Sequence, residues 1–234
     1  MRIAAAVLLC AWCGCGAEPA PEPVQATASS GAETAPQGER MEVSGLMGTI
    51  PERKIHATLE PKLPSFQRCF MHGAERVEMI SGSMQFYFRV GLDGQVEWVY
   101  PRASTVGDRP TEQCLLEVAK AARFPEPKGG GAAEISWGFE LDASDAARPP
   151  VAWDEARVQP VLATERAGLQ ACGVTSGALL VTAYVAPGGQ VLAAGASAPD
   201  REAAERIDCV VGAVQGWHMP DPGSYPAKVS FHAP

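Results

Sequence analysis

Residues 114–127 read CLLEVAKAARFPEP, and residues 209–222 read CVVGAVQGWHMPDP. Each stretch opens on a cysteine (Cys114, Cys209), continues with apolar residues at helical spacing, and ends in Pro-acid-Pro around Glu126 and Asp221. The two lie ninety-five residues apart, and the same offset holds upstream without a gap. Gly82, Val90, Gly94, Gln95 and Val96 correspond to Gly177, Val185, Gly189, Gln190 and Val191. Such self-similarity is the mark of a duplicated module. Farther upstream the register slips: Cys69 lies thirteen residues before Gly82 and Cys172 only five before Gly177, so the second copy is eight residues shorter there.

Each copy predicts the same order of elements. A helix ending at cysteine comes first: residues 54–70, interrupted by Pro61 and Pro64, and residues 155–172. A hairpin follows. Met84, Phe86, Phe88 and Val90 alternate onto one face, and Asp93-Gly94 is a strong tight-turn signal. The second hairpin turns at Pro187-Gly188-Gly189. Next comes a helix, with Ala203, Ile207, Val210, Val211 and Val214 in one apolar stripe. Asp108 and Ser197 are the expected N-caps, and Pro125 and Pro220 the expected stops. A strand closes each copy: residues 134–141, with Ile135, Trp137, Phe139 and Leu141 alternating, and residues 227–233. The expected class is α+β, with two tandem α-β-β-α-β modules.

The 234 residues are 46% hydrophobic and 20% charged, the balance of a soluble globular chain. A net charge of −8 without a basic run lacks the electrostatic footprint of a nucleic-acid binder. The N-terminus, MRIAAAVLLCAWCGCGAE, has one arginine, a short apolar core and then small residues with cysteines. It is too short to span a bilayer and has the form of a secretion signal. Because it ends in cysteine it resembles a bacterial lipoprotein signal, with Cys15 as the expected lipidated residue after Gly14, and Cys13 and Cys10 as the alternatives. Lipid would then be the membrane anchor. Residues 16–45 have no aromatic side chain and are rich in Pro, Ala and Glu, a composition expected to form a flexible tether. The expected boundaries are therefore a signal at 1–15, a tether at 16–45, a first module at 46–142, a linker at 143–152 and a second module at 153–234.

Of seven cysteines, three fall in the signal and four downstream, two per module. In an oxidising compartment these predict disulfides Cys69–Cys114 and Cys172–Cys209. A catalytic thiol couple is the rival reading, but such pairs are usually close in sequence and beside cationic groups, whereas Cys114 and Cys209 lie on apolar helical stripes. His56, His72, His218 and His232 form no ligand-spaced pair, no serine sits in a G-x-S-x-G elbow, and Gly129-Gly130-Gly131 is not a phosphate loop. Glu126 and Asp221 fit a turn role, and Trp137 and Trp217 a core role. No catalytic residue, metal ligand, cofactor or small-molecule substrate is expected.

The combination GLMGTIPERKI, LPSFQRCF, GSMQFYFRVGLDGQVEWV, CLLEVAKAARFPEPKGGG and ISWGFEL over residues 45–141 resembles the AgmX/PglI C-terminal domain, a TonB-C-terminal-like module of gliding-motility and envelope proteins. The second copy matches more weakly, with Trp217 and Met219 in place of the usual Trp-Arg-Phe-Pro. Ala122 in the first copy stands where Trp is usual. The resemblance implies small non-enzymatic domains that bind partner proteins, TonB itself by adding a partner strand to its sheet. The expected function is thus an envelope lipoprotein, facing the periplasm from the outer membrane, that binds another envelope protein. The expected edge strands carry Ile135, Trp137 and Phe139, and Val229 and Phe231. The alternatives are a part in a TonB-like or gliding-motility force-transducing complex and, behind that, a periplasmic thiol oxidoreductase.

Overall fold

The computed structural model describes residues 47–142, 147–174 and 179–233. Cys10, Cys13, Cys15, the tether and Gly177 lie outside the described residues. The first helical stretch is broken where its prolines require: α1 (Glu52–Leu59) passes through a 3-10 turn at Glu60–Lys62 into α2 (Leu63–Ala74). Pro64 sits at the second position of α2, where the missing N–H costs nothing. The helix continues past Cys69 to Ala74 rather than ending at the cysteine.

Strands β1 (Gly82–Val90) and β2 (Val96–Ser104) form the first hairpin, α3 (Arg109–Lys120) crosses back, and β3 (Ala133–Leu141) pairs antiparallel with β1. The sheet order is β2-β1-β3. Met84, Phe86, Phe88 and Val90 are buried beneath α2 and α3 with Ile135 and Trp137. Phe66 of α2 lies 5.7 Å from Phe86, 5.6 Å from Trp137 and 5.0 Å from Phe139, ring centre to ring centre. Aromatic contacts at this range add to simple area burial.

The second sheet is four-stranded, in the order β4-β7-β5-β6. It comprises β4 (Val151–Trp153), β5 (Leu179–Val185), β6 (Val191–Ser197) and β7 (Ala227–Ala233), with α4 (Gln159–Ala171), α5 (Arg201–Ala204) and α6 (Ile207–Gln215) packed on it. Residues 151–153, the first two of them assigned to a linker by composition, form a strand parallel to β7. Asp108 caps α3 as expected, accepting from Thr111 N at 3.2 Å. Ser197 does not cap: it ends β6 opposite Leu180, and Asp200 accepts from Ala203 N instead. The apolar stripe from Ala203 to Val214 is buried throughout but divided between α5 and α6. Helices α3 and α6 end five residues before Pro125 and Pro220, so those prolines are not the stops.

Both Cys69–Cys114 and Cys172–Cys209 are disulfides, each tying a first helix to a later one. A second recurrence explains the repeated Gly-Gln-Val. Phe124 N donates to Gly94 O at 2.9 Å, and Met219 N to Gly189 O at 2.8 Å. A Cβ on Gly94 would lie 2.1 Å from Phe124 O, and one on Gly189 2.1 Å from Met219 O. Both glycines also have positive φ, 76° and 85°. No other residue fits where the chain returns to the hairpin tip.

Candidate partner-docking edge

An unpaired strand edge presents a row of main-chain donors and acceptors that must be covered, blunted or used. The two sheets have four edges: β2, β3, β4 and β6. Their treatment differs, and that difference locates the candidate site.

The edge of β2 is capped at one end by Lys120, whose Nζ donates to Val96 O at 2.7 Å and to Glu97 O. At the other end Pro101 O accepts from Ala198 N at 2.9 Å. The edge of β6 is closed by the first half. Glu112 of α3 accepts from Ala196 N at 3.1 Å and from Ser104 Oγ at 2.6 Å. A Cβ on Gly195 would collide with this carboxylate, so glycine there gives Glu112 its seat. Glu112 is wholly buried, and that burial pushes its carboxyl up to about 7, against the opposing pull of Ser104, Arg109 and Ala196 N. Arg109 Nη1 lies 3.8 Å from Glu112, and Nε donates to Asp208 at 2.6 Å. Sequence gave no warning of Glu112, which occupies an ordinary first-turn helix position.

The edge strand β4 is only three residues long and follows Pro149-Pro150, two devices that resist strand addition. It corrects the expectation for β7, since Val229 pairs with Trp153 on one side and Ala183 on the other. Val229 is therefore not on an open edge. Beyond it, His232 N donates to Glu155 Oε1 at 3.3 Å, and Phe231 points into the core.

Strand β3 is different. Gly48 N donates to Ala132 O at 3.0 Å and Gly48 bridges Ala133; beyond that point β3 has no outer neighbour among the described residues. Because its register with β1 is unbroken, main-chain groups facing outward alternate from Ala132 to Glu134, Ser136, Gly138 and Glu140. Ile135 and Trp137 are buried and Phe139 is half-buried, so the side chains expected to mark the edge instead anchor the strand. On the outer face Glu134 accepts from Tyr87 OH at 2.9 Å and Arg89 Nη1 at 3.1 Å, and donating to that carboxylate raises the Tyr87 hydroxyl.

The second half also steadies β1, the strand that carries β3. Tyr184 OH accepts from Ser81 N at 3.1 Å and donates to Ser81 O at 3.2 Å, and Lys228 Nζ donates to the same carbonyl at 2.6 Å. Burial pushes the Tyr184 hydroxyl up and the Lys228 amine down to about 8. Asp221 accepts from Gly188 N and Gly223 N, which lowers its carboxyl and accounts for it as a loop brace. Among the described residues there is no cluster of three or more metal-ligating side chains and no helix long and apolar enough to cross a membrane. Comparison with protein-family models, curated proteins and solved structures finds no match for the chain.

Proposed function

We propose that this protein is a non-enzymatic cell-envelope lipoprotein, built from two copies of one TonB-C-like module, that captures another envelope protein along β3. The observation that carries this is the unequal treatment of sheet edges: β2, β4 and β6 are capped, shortened or covered, while among the described residues β3 is left unpaired beyond Ala133. A strand of nine residues with an open edge is an aggregation hazard unless something is meant to pair with it.

The duplication is supported by matching contacts. The Gly94–Phe124 and Gly189–Met219 bonds correspond, as do the two disulfides. The bond from Val151 N to Pro226 O repeats that from Gly48 N to Ala132 O. Export and lipid attachment at Cys15 rest on the N-terminal sequence and on the paired cysteines, which require an oxidising compartment. The resemblance to AgmX/PglI C-terminal domains belongs to the same proposal, supported by the helix-strand-strand-helix-strand order of the first half.

The test is site-specific photocrosslinking in cells. A crosslinker at Ser136 or Glu140 is expected to trap one discrete partner band, and one at Ser230 of β7 none. Equal trapping from both strands, or none from β3, would refute the reading.

A further inference from the structure

We infer that the segment β3 accepts is extended and basic, with aliphatic side chains on its core face, an aromatic ring opposite Gly138 and a lysine or arginine opposite Glu140. This rests on the proposal that β3 is the docking edge, and specifies its ligand from the side chains that flank the edge.

The outer face of β3 carries Glu134, Ser136, Gly138 and Glu140, opposite Arg89, Tyr87, Gln85 and Ser83 of β1. Glu134 is already held by Arg89 and Tyr87. Glu140 is exposed, faces an uncharged serine and has no ion-pair partner among the described residues. A cation on an added strand directly across from it would gain an opposite-charge cross-strand pair. Asp142 follows at the end of the strand, and the chain's net charge of −8 draws a basic segment toward it at long range.

Gly138 shapes the middle of the site. A Cβ there would lie 2.7 Å from Met84 O, so the close approach of β1 and β3 excludes a side chain. The outer face is consequently bare between Ser136 and Glu140, and a ring on the incoming strand covers exposed backbone that β3 cannot cover itself. On the opposite face Phe139 and Leu141 are only half-buried, unlike Ile135 and Trp137. An added strand would extend the core there with aliphatic side chains.

Two other occupants are disfavoured by the same charges. In an antiparallel pairing of β3 with a second copy, every register that aligns the outward-facing residues brings Glu134, Glu140 or Asp142 opposite or diagonal to an acid of the other copy. Like charges across a strand pair are destabilising. The chain's own residues 16–45 contain five glutamates against one arginine and meet the same repulsion.

The experiment uses the disulfide-intact full chain and two capped ten-residue peptides with valine at alternate positions and one phenylalanine. One peptide carries lysines at the remaining positions flanking the phenylalanine, and its twin carries glutamates. The lysine peptide is expected to shift the amide resonances of Ser136, Gly138 and Glu140 and to bind about fivefold more tightly than its twin. Glu140→Lys is expected to reverse that preference, and raising salt to weaken it. Equal binding of the two peptides, binding of neither, or a preference unmoved by Glu140→Lys overturns the inferred chemistry. A third peptide, the lysine form N-methylated on the residues that face β3, separates that failure from failure of the docking edge. If it binds as well as its parent, main-chain pairing is not the mode and the edge reading falls. Concentration-dependent dimerisation lost in a β3 variant would assign the edge to a second copy and overturn the inference as well.

Discussion

Glu112→Gln tests whether the buried carboxylate between the two sheets governs stability as its surroundings require. Glu112 is fully buried, with its carboxyl raised to about 7 from an ordinary 4.5, chiefly by loss of water. The folded chain therefore holds a proton between pH 4.5 and 7 that the unfolded chain has released. Stability from this group is complete at the acid end and declines as pH rises through that window. At 1.36 kcal/mol per pH unit the decline amounts to roughly 3 kcal/mol. Glutamine has nearly the same shape, can accept from Ala196 N with its amide oxygen, and can donate to Ser104 Oγ, which also receives Val106 N. It does not titrate. Urea unfolding of the oxidised wild type and Glu112→Gln from pH 4.5 to 8 isolates the term, because every other titrating group is common to both chains. The difference in unfolding free energy is expected to move by roughly 3 kcal/mol in favour of glutamine as pH rises. Parallel pH profiles would refute the reasoning, and would mean that Arg109, 3.8 Å away, offsets the loss of water around the Glu112 carboxylate.

Replacing both Cys69 and Cys114 by serine is expected to lower the unfolding free energy by about 4 kcal/mol in urea melts, the chain-entropy value for a bridge between residues this far apart. Removing the Cys172–Cys209 bridge should cost slightly less, because its span is shorter. Lys120→Ser frees the carbonyls of Val96 and Glu97 at the β2 edge. It is expected to produce concentration-dependent association in sedimentation velocity, which Glu117→Ser on the neighbouring exposed position does not.

Much of the fold was legible because local rules decide it. The alternation of Met84, Phe86, Phe88 and Val90 needs only a two-residue period and one buried face, and all four are in the core. Gly94 and Gly189 were visible as recurring glycines, though the reason, a passing backbone at Phe124 and Met219, became apparent only in three dimensions. What escaped depends on partners distant in sequence. Nothing local distinguishes β3 from β7 as an edge. Three residues, two of them assigned by composition to a linker, pair with Ala227 to Val229 of β7 and cover that edge. A clue existed: the eight-residue slip places Gly48 in register with Val151, so the contact Gly48 makes to Ala132 predicts the one Val151 makes to Pro226. Ser197 failed as a cap because β6 continues through it, paired with Leu180.

Among the described residues, the openness of β3 has a specific local cause. In the second half, Val151, Ala152 and Trp153 run along β7 for three residues. In the first half, Gly48 makes one bridge to Ala133, and then Thr49 turns away to exchange two main-chain bonds with Lys128, at 2.8 and 2.9 Å. Both bonds are made by Lys128, and the chain turns directly after it through Gly129 and Gly130 at positive φ. A chain held in that way cannot also lie along Ser136 and Gly138. The Lys-Gly-Gly-Gly stretch thus diverts the segment before α1 away from β3, whereas the second half, lacking that stretch, covers its own edge and spends the opposite one against the first. The first half so leaves β3 without an outer neighbour past Ala133 among the described residues, the second half braces the strand beside it, and the difference lies in the few residues before each half's first helix.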